Sequence, residues 1–152
     1  MKKEQHNGLI TTSYLPALED TALKDGQNSI TKKNISILIV EYDFISFLYL
    51  EAVINLFNYK IIHVKNGQDA VDLMRQDNLI ALIFMELKIP VLDGFETTKQ
   101  IRKVNKKIPI IAQTTLANLI DRQKAFEVGC TDYLLKPISK ELLCETIKKY
   151  VS

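Results

Sequence analysis

Three carboxylates and one ammonium stand out by position. Glu41 and Asp43 follow the apolar run Ile35–Val40 (ISILIV), and Glu86 ends the run Leu82–Met85 (LIFM). Lys136 follows the segment Asp132–Leu135 and precedes Pro137. Consecutive apolar residues suit strands buried on both faces of a parallel sheet. In open α/β sheets, ligands bind outside the carboxyl ends of such strands. With the two acid-ended strands as neighbours, Glu41, Asp43 and Glu86 converge on one pocket. Acids that close repel and raise one another's pKa unless a cation intervenes. The expected cation is the Lys136 ammonium or Mg²⁺, which takes oxygen ligands and keeps several waters. Thr114, at the end of Ile108–Gln113, adds a hydroxyl able to donate to an oxyanion. Thr115 has the opposite facing, so only one of the two points in. Tyr133 lies three residues before Lys136, where a strand tyrosine packs with its hydroxyl at a wet edge.

The elements that hold these groups alternate. Strands are expected at Ile35–Glu41, Lys60–Val64, Ala81–Met85, Ile108–Gln113 and Asp132–Leu135. Helices are expected at Ile45–Phe57, Gln68–Gln76, Phe95–Val104, Asn118–Val128 and Ser139–Tyr150. Five βα units imply a parallel sheet with right-handed crossovers and helices on both faces. Asn66-Gly67 marks a turn, Gly129 a helix stop and Ser139 an N-cap. In the first helix, Ile45, Tyr49, Leu50, Val53, Leu56 and Phe57 are assigned to the buried face by periodicity. Phe47 and Leu48 then fall beside the polar stripe, and two adjacent surface apolars suggest a partner or dimer contact there.

The chain has 152 residues with 47% hydrophobic and 25% charged, an ordinary balance for one domain with a real core. A formal net charge of +2 provides no footprint for nucleic acid. The two cysteines, Cys130 and Cys144, lack metal-ligand spacing and fit reduced thiols. Lys2 and Lys3 are followed by Glu4, Gln5, His6 and Asn7 rather than an apolar segment, and no run is long enough to span a bilayer. A cytoplasmic setting is expected. Residues 1–34 read as a flexible N-terminal extension, within which Pro16–Asp25 has the makings of a short helix carrying Leu15, Leu18, Ala22 and Leu23 on one stripe. Residues 35–152 form the domain. The last helix reaches nearly to Ser152, so a stand-alone module is expected.

An acidic end to the first strand, IFMELKIPVLDGFE, a Thr ending the fourth strand, and YLLKPI occur in that order. From Ile35 to about Val151 this resembles the receiver domain of two-component response regulators. The resemblance implies a doubly wound five-stranded parallel sheet in 2-1-3-4-5 order, flavodoxin-like and CheY-like. It further implies an acceptor of phosphoryl groups from a histidine kinase or phosphotransfer protein. By position, Glu86 corresponds to the phosphoacceptor, Thr114 and Tyr133 to the switch hydroxyl and aromatic, and Lys136 to the residue that contacts the phosphoryl group. Glu41, Asp43, Glu86 and the backbone carbonyl of Lys88 would supply the metal site.

Two departures bear on mechanism. The family's acceptor is Asp, where this chain has Glu86, and its second metal-binding acid falls at Tyr42, with Asp43 one residue late. A one-residue shift along a strand reverses side-chain direction. The additional methylene of Glu moves the carboxylate by roughly 1.5 Å, and misplacement on that scale costs on the order of a hundredfold in rate. Loss of a ligand carboxylate removes charge neutralisation from the transition state. The expectation is a signalling receiver acting as a protein-interaction module, not an enzyme, with phosphorylation impaired or absent. A Glu86–Lys136 pair, with Thr114 donating to Glu86 and Tyr133 turned inward, would hold its state without phosphate. The alternative is a conventional receiver that accepts phosphate on Glu86 or Asp43. A small Mg-dependent phosphotransfer enzyme or hydrolase is weaker, since no Asp nucleophile ends a strand and no Gly-rich phosphate loop is present. The expected partners are a histidine kinase, a phosphotransfer protein or another signalling protein, reached through Phe47 and Leu48.

Overall fold

The computed structural model describes residues 34–76 and 79–151. The expected extension, with its short helix at Pro16–Asp25, lies outside the described residues. Five strands, β1 (Ser36–Val40), β2 (Lys60–Val64), β3 (Ile80–Met85), β4 (Ile110–Thr114) and β5 (Asp132–Leu135), form one parallel sheet in the order β2-β1-β3-β4-β5. The helices are α1 (Phe44–Ile54), α2 (Gly67–Arg75), α3 (Gly94–Val104), α4 (Leu119–Val128) and α5 (Lys140–Val151). The expected 2-1-3-4-5 doubly wound architecture is the one observed.

Alternation along the strands divides the core in two. Leu38 and Val40 of β1, Ile83 and Met85 of β3, and Ile110 and Ala112 of β4 pack with Ala70, Val71, Ile101 and Ala125 beneath α2, α3 and α4. Ile37, Ile39, Leu82, Phe84 and Ile111 pack on the other face with Phe47, Leu50, Val53 and Ile54 of α1 and Leu143 and Ile147 of α5. Cys130 is buried in the first cluster against Thr98, and Cys144 is half-buried beside the second; both are free thiols.

Four helices start on a side-chain cap: Asp43, Asn66, Asp93 and Asn118 each accept from the backbone N–H three residues on. Helix α4 stops at Gly129, whose φ of 111° is a backbone that favours glycine. Two boundaries differ from expectation by more than one residue. Strand β4 begins at Ile110, because Asn105 Oδ1 accepts from the N–H groups of Lys107 and Ile108 and holds them in a turn. Helix α1 ends at Ile54 and tightens into a 3₁₀ turn, Asn55–Phe57, closed by Asn58 at φ 58°.

The larger correction concerns the direction α1 faces. Phe47 is 6% exposed and stacks on the His63 ring of β2, with centroids 3.8 Å apart. Phe47, Leu50, Val53 and Ile54 make the buried side, whereas Ile45, Leu56 and much of Tyr49 are exposed. A surface patch of Phe47 with Leu48 therefore does not form, although Leu48 itself is exposed. The physical reason lies in the composition of the helix. Apart from Ser46 and Glu51, every residue from Phe44 to Ile54 is apolar, so periodicity does not choose a face.

Candidate functional site

Backbone pairing at the carboxyl edge of the sheet sets the site. The Glu41 N–H donates to Val64 O, that of Glu86 to Val40 O, and that of Lys136 to Thr114 O. These bonds carry the ladder one residue past each strand and fix where the three side chains leave it. Glycine 94 completes the support: a Cβ there would meet Glu86 O at 2.4 Å and Leu87 Cα at 2.6 Å. The first turn of α3 can thus lie directly against the Glu86 backbone only with no side chain at that position.

Lys136 Nζ lies between two carboxylates, 2.6 Å from Glu41 Oε2 and 2.8 Å from Glu86 Oε2. All three side chains are largely buried. The second oxygen of each acid is also engaged. Glu41 Oε1 accepts from Asp43 N at 2.9 Å, and Glu86 Oε1 accepts from Lys88 N at 2.9 Å. Gln113 Nε2 donates to Glu41 Oε2 at 3.4 Å, and Ser46 Oγ lies 3.5 Å from the ammonium. Burial works to lower the Lys136 pKa, but its bonds to Glu41 and Glu86 outweigh that and hold it above the ordinary lysine value. A raised lysine pKa stabilises the fold below about 10.5, and the contribution is lost as pH rises through the folded value.

The expected contact between Glu86 and Lys136 is present. Tyr133 is turned inward against the core, as expected, whereas Thr114 is arranged differently from expectation. Thr114 Oγ1 is buried and accepts from Leu116 N at 3.3 Å, and among the described residues no hydrogen bond joins it to Glu86. The Tyr133 ring is half-buried against the core, and its hydroxyl donates to Leu116 O. Threonine and tyrosine therefore meet on opposite ends of one residue, Leu116. Burial, then Asp121 and Glu86, push the Tyr133 phenol up. Thr115 is exposed, as the alternation requires.

The expected metal set does not assemble. Asp43 is exposed, and its side chain caps α1 by accepting from Ser46 N at 2.7 Å. That bond is the main cause holding its carboxyl below the usual value. Tyr42 is exposed and contributes no carboxylate. Mg²⁺ demands near-octahedral oxygen ligands. Here every oxygen of Glu41 and Glu86 already accepts an N–H, and the position between them is taken by an ammonium. As arranged, these residues do not fit the metal. Among the described residues, no group of three His, Cys, Asp or Glu side chains comes together to hold one.

Two participants escaped sequence reasoning. Gln113, mid-strand and buried, carried no signal beyond being a polar residue in an apolar run. His63 Nε2 lies 2.7 Å from Glu41 O, so the imidazole stacked on Phe47 also ties down the backbone of the first site acid. Burial foremost lowers the His63 pKa.

A five-stranded parallel sheet in this order, with acids and a lysine at its carboxyl edge, defines a class of signalling domain. The profile of the response regulator receiver domain matches residues 37–148, and the chain belongs to that family. The polar-differentiation response regulator DivK of Brucella anthropi is 34% identical over 118 residues, covering 76% of this chain and 95% of DivK. Among solved structures, the receiver domain of the sensor histidine kinase PA1611 of Pseudomonas aeruginosa, with a magnesium ion in its active site cleft, is 32% identical. Its TM-score is 0.69, covering 77% of this chain and 97% of that one. The receiver domain of Ssk1 from Saccharomyces cerevisiae, crystallised with the histidine phosphotransfer signalling protein Ypd1, is also 32% identical. Its TM-score is 0.71, covering 79% and 90% of the two chains. Among the described residues no helix is long and apolar enough to cross a membrane.

Proposed function

We propose that this receiver acts in two-component phosphorelay signalling as a cytoplasmic, non-enzymatic interaction module whose state does not depend on phosphorylation. The observation that carries the reading is the Lys136 ammonium held at 2.6 and 2.8 Å between Glu41 and Glu86. Two carboxylates that close need a cation, and this chain supplies its own. Glu86 stands at the acceptor position, but its carboxylate is engaged by Lys136 and by the Lys88 N–H. In-line transfer needs an attacking oxygen placed to within fractions of an ångström and a clamp on the developing charge. Tyr42 in place of an acid, and Asp43 spent on a helix cap, weaken that clamp. Thr114 and Tyr133, joined through Leu116, act as switch residues already set in one arrangement. The partner is a histidine kinase, a phosphotransfer protein or another protein of such a pathway, in keeping with the Ypd1 complex of the Ssk1 receiver.

The test is incubation with a small phosphodonor and Mg²⁺, followed by intact mass. The natural chain should stay unmodified, and a Tyr42→Asp/Glu86→Asp variant should gain one phosphoryl group. A stable acyl-phosphate on the natural chain would overturn the reading in favour of a conventional receiver.

A further inference from the structure

Lys136 enters the cluster from a short turn between β5 and α5. Its own N–H donates to Thr114 O as the last bond of the sheet. Helix α5 begins at Lys140, behind Ser139, whose Oγ accepts from Leu142 N at 3.2 Å. Between these two anchors lie Pro137, which has no N–H to donate, and Ile138. Among the described residues, the hydrogen bond that reaches this turn comes from α1: the Tyr49 hydroxyl donates to Ile138 O at 2.8 Å. The Ile138 side chain is buried in one cluster with Leu50, Val53 and Ile54. Helix α1 therefore holds Ile138 twice, by packing and by a polar bond. Tyr49 is 40% exposed, so its hydroxyl has water within reach, yet it turns back onto a main-chain oxygen 89 residues away in sequence.

Holding Ile138 O also holds Lys136. Proline fixes its own φ and restricts the residue before it, so the stretch from Lys136 to Ile138 turns about few free torsions. A shift of the Ile138 carbonyl is passed to the Lys136 backbone rather than absorbed on the way. The ammonium has little slack to take it up. It lies 2.6 Å from Glu41 Oε2 and 2.8 Å from Glu86 Oε2, and charge-assisted bonds that short weaken as they lengthen. Helix α1 meets the same lysine at a second height. Ser46, one turn before Tyr49 and on the same side, has its Oγ 3.5 Å from Nζ. One helix thus touches both the head of Lys136 and the turn that carries it.

We propose that Tyr49 is a positioning residue for Lys136: its hydroxyl, by holding Ile138 O, sets the depth at which the ammonium enters between Glu41 and Glu86. The proposal rests on the reading above in one respect, that the placement of Lys136 sets the state of the receiver.

The nitrogen–proton NMR correlation of the Lys136 ammonium tests it, in the full chain at one fixed pH near neutral. Shielded, hydrogen-bonded protons exchange slowly with water, so the natural chain should show the signal. Tyr49→Phe keeps the ring and removes the donor. It should speed exchange of the ammonium protons by roughly three- to tenfold, the factor that one net hydrogen bond carries. Tyr59→Phe is the control, because it removes a second tyrosine hydroxyl that donates to a carbonyl of α5, Val151 O at 3.4 Å, at the far end of the helix. It should leave the Lys136 signal as it is, whatever either change does to the thermal midpoint. Unaltered exchange in Tyr49→Phe overturns the proposal and leaves the reading of the site standing. Equal acceleration by Tyr59→Phe overturns it too, since any loosening of α5 would then suffice. A natural chain without the signal overturns the ion cluster itself, and with it both the reading of the site and this proposal.

Discussion

The carboxyl edge of the sheet and the outer face of α1 begin three residues apart in sequence, at Glu41 and Phe44, and are opposites in how their groups are satisfied. At the edge, buried charges are complete within the chain: each oxygen of Glu41 and Glu86 has a donor, and the ammonium has two acids. On α1, large hydrocarbon side chains stand in water. The difference shows where this chain depends on other molecules. A satisfied ion cluster gains little from a ligand, because a newcomer must displace bonds already made. An exposed apolar face gains roughly 25 cal/mol for each Å² covered. On the proposed reading, the pocket asks for no ligand, and the exposed apolar surface lies on the helix beside it.

The largest way to break that contrast is Lys136→Met. It keeps the length of the side chain and strands two buried carboxylates, so destabilisation of about 3–5 kcal/mol is expected by urea titration. A variant with natural stability at neutral pH would mean that the cluster is not the closed unit described here.

Gly94→Ala asks how tightly the cluster is backed. A Cβ would press on the Glu86 carbonyl from 2.4 Å, and overpacking of that kind costs about 1–3 kcal/mol. The cost should appear as a lower thermal midpoint.

The smallest effect concerns the support of the edge. His63 joins the Glu41 carbonyl to the buried side of α1 through the Phe47 ring, and is faced by Lys65, Glu41 and Glu51. Its pKa is lowered in the fold, so its contribution is present above about pH 6.5 and is lost as pH falls from there toward the folded value. His63→Gln should flatten the dependence of unfolding free energy on pH between about 7 and 5. An identical slope would remove His63 from the account.

Much of this was legible from residues alone. Runs such as LIFM followed by Glu86 announce buried parallel strands and the edge where chemistry gathers, and charge calls for a cation between the acids, Lys136 or Mg²⁺, of which the fold supplies Lys136. What was not legible has identifiable causes. In α1 an apolar residue at nearly every position leaves no contrast for a periodicity to detect, so Phe47 was placed outward and Ile45 inward, the reverse of the fold. Asp43 appeared to be a pocket acid, because a helix cap and a ligand use the same carboxylate and only the chain direction after Tyr42 tells them apart. Gln113 and His63 act on Glu41 from other strands, a relation that no local spacing encodes.

The two thiols have an experimental consequence. Burial pushes the Cys130 sulfhydryl up to about 11, which leaves it almost wholly unreactive toward alkylating agents near neutral pH. Cys144 sits half-buried on α5, the helix that packs beside α1. The unaltered chain therefore offers one addressable sulfur, on α5, and a fluorophore or spin probe placed there would report on the packing of that helix without any engineered handle.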